Sequence, residues 1–275
     1  MILVTGSTGN IGSELVDVLA SSGAPVRALA RKAPESRRDG VEYAIGDLDD
    51  PASLAPALDG ADGLFLLPGY RDMPGVLAEA RRAGARRVVQ LSGGSAGSGD
   101  LTNAVSRYMI NTERAVRDSG LPWTILRPTA FMSNAFRWLP QLRAGDTLRL
   151  PFANVRTAAV DPRDIAAVAA KALLEDGHAG QVHHPTGPES LLPAEQVAVL
   201  GEVLGRDLRF EPQPDDEARA EMSAQMPVEY VDAFFDFYVN GSLDESVVRS
   251  TVQDVTGEPP RTFRRWAEAH AAAFA

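Results

Sequence analysis

The chain has 275 residues, 44% hydrophobic and 23% charged, which suits a globular protein of one large domain or a domain plus a small lobe. It contains no cysteine, so disulfides, thiolate catalysis and cysteine-based zinc sites are excluded. The net charge of -10 opposes non-specific nucleic-acid binding, and no apolar run approaches the ~18 residues of a membrane span.

Ile2 to Thr5 reads as a buried strand, followed by glycines at three-residue spacing, Gly6, Gly9 and Gly12, and by an amphipathic helix from Glu14 to Ala20. Because the chain opens on this strand, no secretory leader is expected ahead of it; together with the absence of cysteine this predicts a cytoplasmic protein. Val26 to Ala30 and Val41 to Ile45 are the next strands, and Pro51 starts a helix. Gly63 to Leu67 is a fourth strand stopped by Pro68, Val76 to Ala83 a helix, and Arg87 to Leu91 a fifth strand ending at Ser92-Gly93-Gly94. A helix over Ala104 to Ser119 and a strand over Trp123 to Leu126 complete the alternation. The arginines at 81, 82, 86 and 87 read as a solvated helix end rather than a nucleic-acid patch.

The second half is less regular. Strands are expected at Thr157 to Val160, Gln181 to His184 and Asp207 to Phe210, with helices at Pro162 to Leu174 and Pro193 to Leu204. Residues 212 to 240 turn from acidic to aromatic (Phe234, Phe235, Phe237, Tyr238), and a final helix carries Phe263, Trp266 and Phe274. The expected fold is α/β: a Rossmann-type doubly wound parallel sheet with a small C-terminal α/β lobe, the sheet domain at 1–150, the lobe at 151–275, and a substrate cleft between them.

The glycine-rich turn between strand and helix predicts a dinucleotide cradle. Gly6 permits the tight turn, Gly9 the close approach of a pyrophosphate, and Gly12 close packing of helix on strand. The amides of Thr8, Asn10 and Ile11 belong to the same anion-facing corner. Arg31 lies nineteen residues past Gly12, near the ~20 at which such folds read the ribose, and no acid lies between Val26 and Lys32. Arg31 and Lys32 therefore predict NADP (NADPH) as cofactor. Asp47, next to Leu48, either accepts from an adenine amino group or caps the following helix. Ligands bind outside the carboxyl ends of parallel strands, so Leu66, Leu67, Pro68, Ser92, Gly93, Pro128, Thr129 and Phe131 are candidates for the nicotinamide slot.

On these residues the chain resembles the NmrA-like group of atypical short-chain dehydrogenase/reductases. The resemblance is carried by VTGSTGNIG (Val4 to Gly12), RALAR (Arg27 to Arg31), GDLDDPASL (Gly46 to Leu54), VVQLSGGSA (Val88 to Ala96) and the segment from Asn111 to Asn134. It implies NADPH binding, and either reduction of quinones and dyes or redox sensing without turnover. Many short-chain reductases carry a Tyr-xxx-Lys pair, but the two lysines here, Lys32 and Lys171, follow no tyrosine at that spacing. Members of the group often place Lys or His four residues before a helix glutamate; here that glutamate is Glu113 and the matching residue is Met109.

Tyr108 and Ser92 are the substitute proton donors. His183 and His184 point to opposite faces of a strand and read as structural, and no metal is expected. The aromatic run 234–238 reads as core, a subunit contact or a substrate wall. Three functions stay open: a reductase of quinone-like or conjugated carbonyl compounds, a redox-sensing regulator with a protein partner, and an isomerase or cyclase. The expected partner is a small-molecule substrate, with neither nucleic acid nor membrane, and a homodimer is compatible.

Overall fold

A computed structural model describes residues 1–32 and 36–274. Its strands are β1 (Ile2–Val4), β2 (Val26–Ala30), β3 (Val41–Ile45), β4 (Gly63–Leu66), β5 (Arg87–Leu91), β6 (Trp123–Leu126), β7 (Thr147–Leu150), β8 (Gln181–His183) and β9 (Arg209–Pro212). Seven of them form one sheet in the order β3-β2-β1-β4-β5-β6-β8, all neighbours parallel. The chain winds outward from β1 in both directions, so the strand order reverses between β1 and β4. The crevice at the carboxyl ends of those two strands is where such sheets bind ligands.

The helices are α1 (Asn10–Ser21), α2 (Ala55–Leu58), α3 (Met73–Arg82), α4 (Ala104–Asp118), α5 (Leu139–Ala144), α6 (Pro162–Leu174), α7 (Pro193–Leu204), α8 (Asp215–Ser223), α9 (Val228–Tyr238), α10 (Thr251–Thr256) and α11 (Phe263–His270). Alternation along the strands sorts them into layers. Ile2 and Val4 of β1 join Leu15 and Leu19 of α1 and Ile165 and Ala169 of α6 in one core. Leu3, between them, faces the opposite core with Leu58, Val76, Leu77 and Val116 from α2, α3 and α4. A third core gathers Leu148, Leu200, Phe263 and Trp266, from β7, α7 and α11.

The observed boundaries differ from the sequence pattern where tertiary contacts intervene. Thr157 to Val160 is not a strand: Thr157 bridges antiparallel to Leu191 and Val160 parallel to Phe131, so the segment has no single neighbour to ladder with. A division at residue 150 does not follow the layers either. β7 pairs with β9 in a separate two-stranded sheet, whereas α6 and β8 return to the large one. The strand expected at Asp207 to Phe210 occupies Arg209–Pro212, in register with β7. Asp72 caps α3 through Gly75 N (2.8 Å), so that helix starts at Met73 rather than Val76. The final helix ends at His270, and Phe274 follows a short 3-10 turn at Ala271–Ala273, with its ring stacked on Phe136 at 5.2 Å.

Candidate active site

The first βα corner is built by close contacts. Gly6 has φ +59°, which favours glycine, and a side chain there would meet Leu67. A Cβ on Gly12 would lie far inside van der Waals contact with the Gly6 carbonyl oxygen. Gly9 N donates to Gly6 O (2.9 Å), and a Cβ on Gly9 would stand 3.3 Å from that oxygen, on the rim of the turn. Gly9 is also the N-cap of α1, so no side chain closes the first turn, and that turn holds no acidic residue. Thr8, Gly9 and Asn10 are exposed, and Ile11 and Gly12 are buried behind them. The corner is an uncapped helix N-terminus open to an anion, and it fits a pyrophosphate. Asn10 Nδ2 donates to Ser133 Oγ (3.2 Å), which ties the corner to the segment after β6. Ser133 lies within the segment Asn111 to Asn134 that carries the resemblance, but no role was read for it there.

Arg31 and Lys32 end β2, exposed, and neither forms an ion pair among the described residues. Tyr70, which the sequence did not single out, lies close enough to feel the charges of Arg31, Asp47 and Asp49. Burial first, and then Tyr108, push its phenol up to about 12. Asp47 does not cap the following helix: its Oδ1 accepts from Asp49 N (3.0 Å), while Asp50 is the N-cap of the 3-10 turn at Pro51–Leu54. Its carboxylate is exposed, and Leu48 is buried in the core beside Leu29 and Leu54 rather than turned to the crevice.

The nicotinamide-slot candidates gather at the carboxyl ends of β4, β5 and β6. Leu67 packs on Gly6. The Pro68 carbonyl accepts from Tyr108 Oη (3.0 Å), and a side chain on Gly69 (φ +91°) would collide with that phenol. Pro128 O accepts from Gly94 N (3.1 Å), Thr129 Oγ1 donates to Ala158 O (2.6 Å), and Phe131 is half-buried against the first core. Met109 lies beside Gly93, where a Cβ would stand 3.7 Å from its methyl carbon. A thioether therefore occupies the place where a cation was absent from the sequence.

Ser92 does not offer a proton to the crevice. Its Oγ is buried and donates to Glu113 Oε1 (2.6 Å). Arg127 grips the same carboxylate with Nε on Oε1 (2.8 Å) and Nη2 on Oε2 (2.7 Å), and Arg117 adds Nη1 on Oε2 (2.9 Å). Burial pushes Glu113 up, but the hydrogen bonds from Arg127 and Ser92 and the charges of both arginines outweigh it, so the carboxyl titrates below its ordinary value. It stays an anion and has no proton to hand back to Ser92.

His183 Nε2 lies 3.1 Å from His178 Nδ1, while His184 is a separate half-buried ring; burial lowers the pKa of both His183 and His184. No group of three or more metal-ligating side chains occurs among the described residues. No helix among them is long and apolar enough to cross a membrane.

A sequence profile described as NAD(P)H-binding matches residues 6–176, which holds the glycine corner, Arg31, and the ends of β4 to β6. The chain belongs to that family. It is 43% identical, over 100% of its own length and 99% of the relative's, to (4-alkanoyl-5-oxo-2,5-dihydrofuran-3-yl)methyl phosphate reductase of Streptomyces griseus. Over the same shares it is 36% identical to NAD(P)H azoreductase of Xenophilus azovorans. Among solved structures, an Escherichia coli NADPH-dependent quinone oxidoreductase complexed with NADPH superposes with a TM-score of 0.81 at 22% identity, covering 100% of both chains. That last likeness shows the fold. Family and relatives together make the chain an NAD(P)H-dependent oxidoreductase of the NmrA-like, atypical short-chain group.

Proposed function

We propose that this oxidoreductase uses NADPH to reduce a small molecule with a conjugated carbonyl, quinones included. The observation that carries the coenzyme choice is the geometry of the first corner: an uncapped helix end with exposed amides, and, just past the neighbouring strand, two exposed cations that form no ion pair among the described residues. The amides of α1 would hold the pyrophosphate and Arg31, with Lys32, the 2′-phosphate. Leu67, Pro68, Pro128 and Phe131 would line the ring slot, with Asp47 toward the adenine. When bound, the coenzyme supplies a hydride; the chain's own part is to orient the acceptor and keep water from the ring. The Streptomyces relative's name describes an alkanoyl-substituted oxo-dihydrofuran, a conjugated carbonyl, which supports that acceptor class over an azo bond.

The reading includes a cytoplasmic location, in keeping with the cysteine-free chain, and allows a homodimer. A second reading, an NADP-binding sensor without turnover, draws on Met109 in place of a cation and on the Ser92 hydroxyl turned away from the crevice.

Titration of NADPH and NADH by fluorescence quenching tests the first reading. Arg31→Ala should weaken NADPH about tenfold, the equivalent of about 1.4 kcal/mol, and NADH about twofold or less. Equal losses would remove Arg31 from the 2′-phosphate.

A further inference from the structure

The corner between β1 and α1 carries three polar side chains of the kinds that cap helices, Ser7, Thr8 and Asn10, yet none of them caps α1. The N-cap is Gly9, a weaker cap than serine or asparagine. Two of the three side chains are spent elsewhere. Ser7 Oγ is buried and donates to Leu29 O on β2 (2.8 Å). Asn10 Nδ2 donates to Ser133 Oγ (3.2 Å), across 123 positions of sequence. Among the described residues this is the one hydrogen bond between the corner at 6–12 and the segment 127–138 that follows β6. A serine hydroxyl both donates and accepts, so the tie holds with the carboxamide turned either way.

Ser133 is the fixed end of the pair. It is 5% exposed and sits between two anchored neighbours: Met132 N donates to Val160 O (3.0 Å) and Asn134 N to Phe131 O (3.0 Å). Phe131 and Val160 are bridged, and Val160 leads into Asp161, the N-cap of α6. Asn10 is the movable end, exposed at the first position of α1. Released from Ser133, its carboxamide would stand beside amides that have no partner in the helix. Asparagine caps better than glycine, so α1 would give up its first residue and Asn10 Oδ1 would accept from Gly12 N. A capped first turn competes with the pyrophosphate for the same amides.

We propose that Ser133 is a positioning residue of the coenzyme site: it holds the Asn10 carboxamide off the first turn of α1 and so keeps the amides there open for the pyrophosphate. This role rests on the coenzyme placement proposed above. Ser133 acts through Asn10, so the turn after β6, and not α1 alone, decides whether the corner is open. The pyrophosphate is common to NADH and NADPH. Ser133 therefore governs affinity for both alike, whereas Arg31 is assigned to the 2′-phosphate that only NADPH carries.

Titration of full-length protein with NADPH and with NADH, followed by fluorescence quenching, tests the assignment. Ser133→Ala should weaken both coenzymes by one factor, about fivefold, which corresponds to about one molecule in five keeping an open corner. The same change made in Asn10→Ala protein should alter neither Kd by more than about 1.5-fold, because no carboxamide is left to cap the turn. Hydrogen exchange in coenzyme-free protein supplies a second readout. The Gly12 amide should exchange about fivefold more slowly in Ser133→Ala than in the wild type, whereas a general loosening of the fold would speed it. Wild-type affinity in folded Ser133→Ala, an equal loss in the Asn10→Ala background, faster exchange at Gly12, or a loss confined to NADPH would each overturn the role of Ser133 and leave the coenzyme placement standing. If the wild type binds neither coenzyme, the placement itself falls, and the role of Ser133 with it.

Discussion

Glu113 and Glu245 are both buried carboxyls next to the carboxyl end of β6, 2% and 8% exposed, and their surroundings push them in opposite directions. Burial raises both. Glu113 receives four donated hydrogen bonds, three of them from guanidinium groups, and these outweigh its desolvation. Glu245 receives a phenol, which does not. The number and charge of the donors, not depth of burial, decides which carboxyl titrates below its ordinary value and which above it. The first belongs to a clamp that locks α4 onto the ends of β5 and β6. The second lies on the segment between α9 and α10, whose backbone accepts from Ala158 N.

The strongest way to break this comparison is to remove each carboxylate. Glu113→Ala should destabilise the protein by about 3 kcal/mol in urea unfolding, because partly buried Arg127 loses its carboxylate and buried Ser92 its acceptor. Glu245→Gln, which keeps an acceptor for Tyr238, should cost about 1 kcal/mol or less. Similar losses would mean that the two sites are alike. A finer probe is Ser92→Ala, which takes one hydrogen bond from a charged acceptor. It should cost about 1.5 kcal/mol of stability. It should also leave turnover intact, where the sequence alone had made Ser92 a proton donor.

The smallest effect, and the sharpest in sign, is the pH dependence of unfolding. Glu113 is lowered from its ordinary value of 4.5, so its contribution is present above that pH and is lost as pH falls through the folded value. Glu245 is raised from the same ordinary value of 4.5, so stability falls as pH rises from there toward its folded value. Comparing the wild type with Glu113→Gln and Glu245→Gln should therefore give difference slopes of opposite sign on the two sides of about pH 4.5.

Much of the first half was legible because its signals are local. Short apolar runs alternate with amphipathic ones, Gly6 holds a left-handed φ, and Gly12 stands where the backbone itself crowds. That pattern determined the parallel sheet, the coenzyme corner, and Arg31 at the end of β2. Local signals failed where a segment serves two neighbours at once. Thr157 and Val160 bridge to opposite sides, and β7 leaves the large sheet before α6 and β8 return to it. They failed again at the hydroxyls: a serine at a strand end looks available until a glutamate and two arginines from elsewhere in the chain close on it.

By itself, then, the order of residues determined an NAD(P)H-binding α/β sheet and set an exposed arginine, Arg31, just past its second strand. Both arise from interactions within a strand, a turn and a helix adjacent in sequence. Only the tertiary structure decided which carboxyl is neutralised by cations and which is not. Proton affinity in a buried site depends on the donors that folding brings together, and Glu113 meets Ser92 and Arg127, as Glu245 meets Tyr238, only in the folded chain.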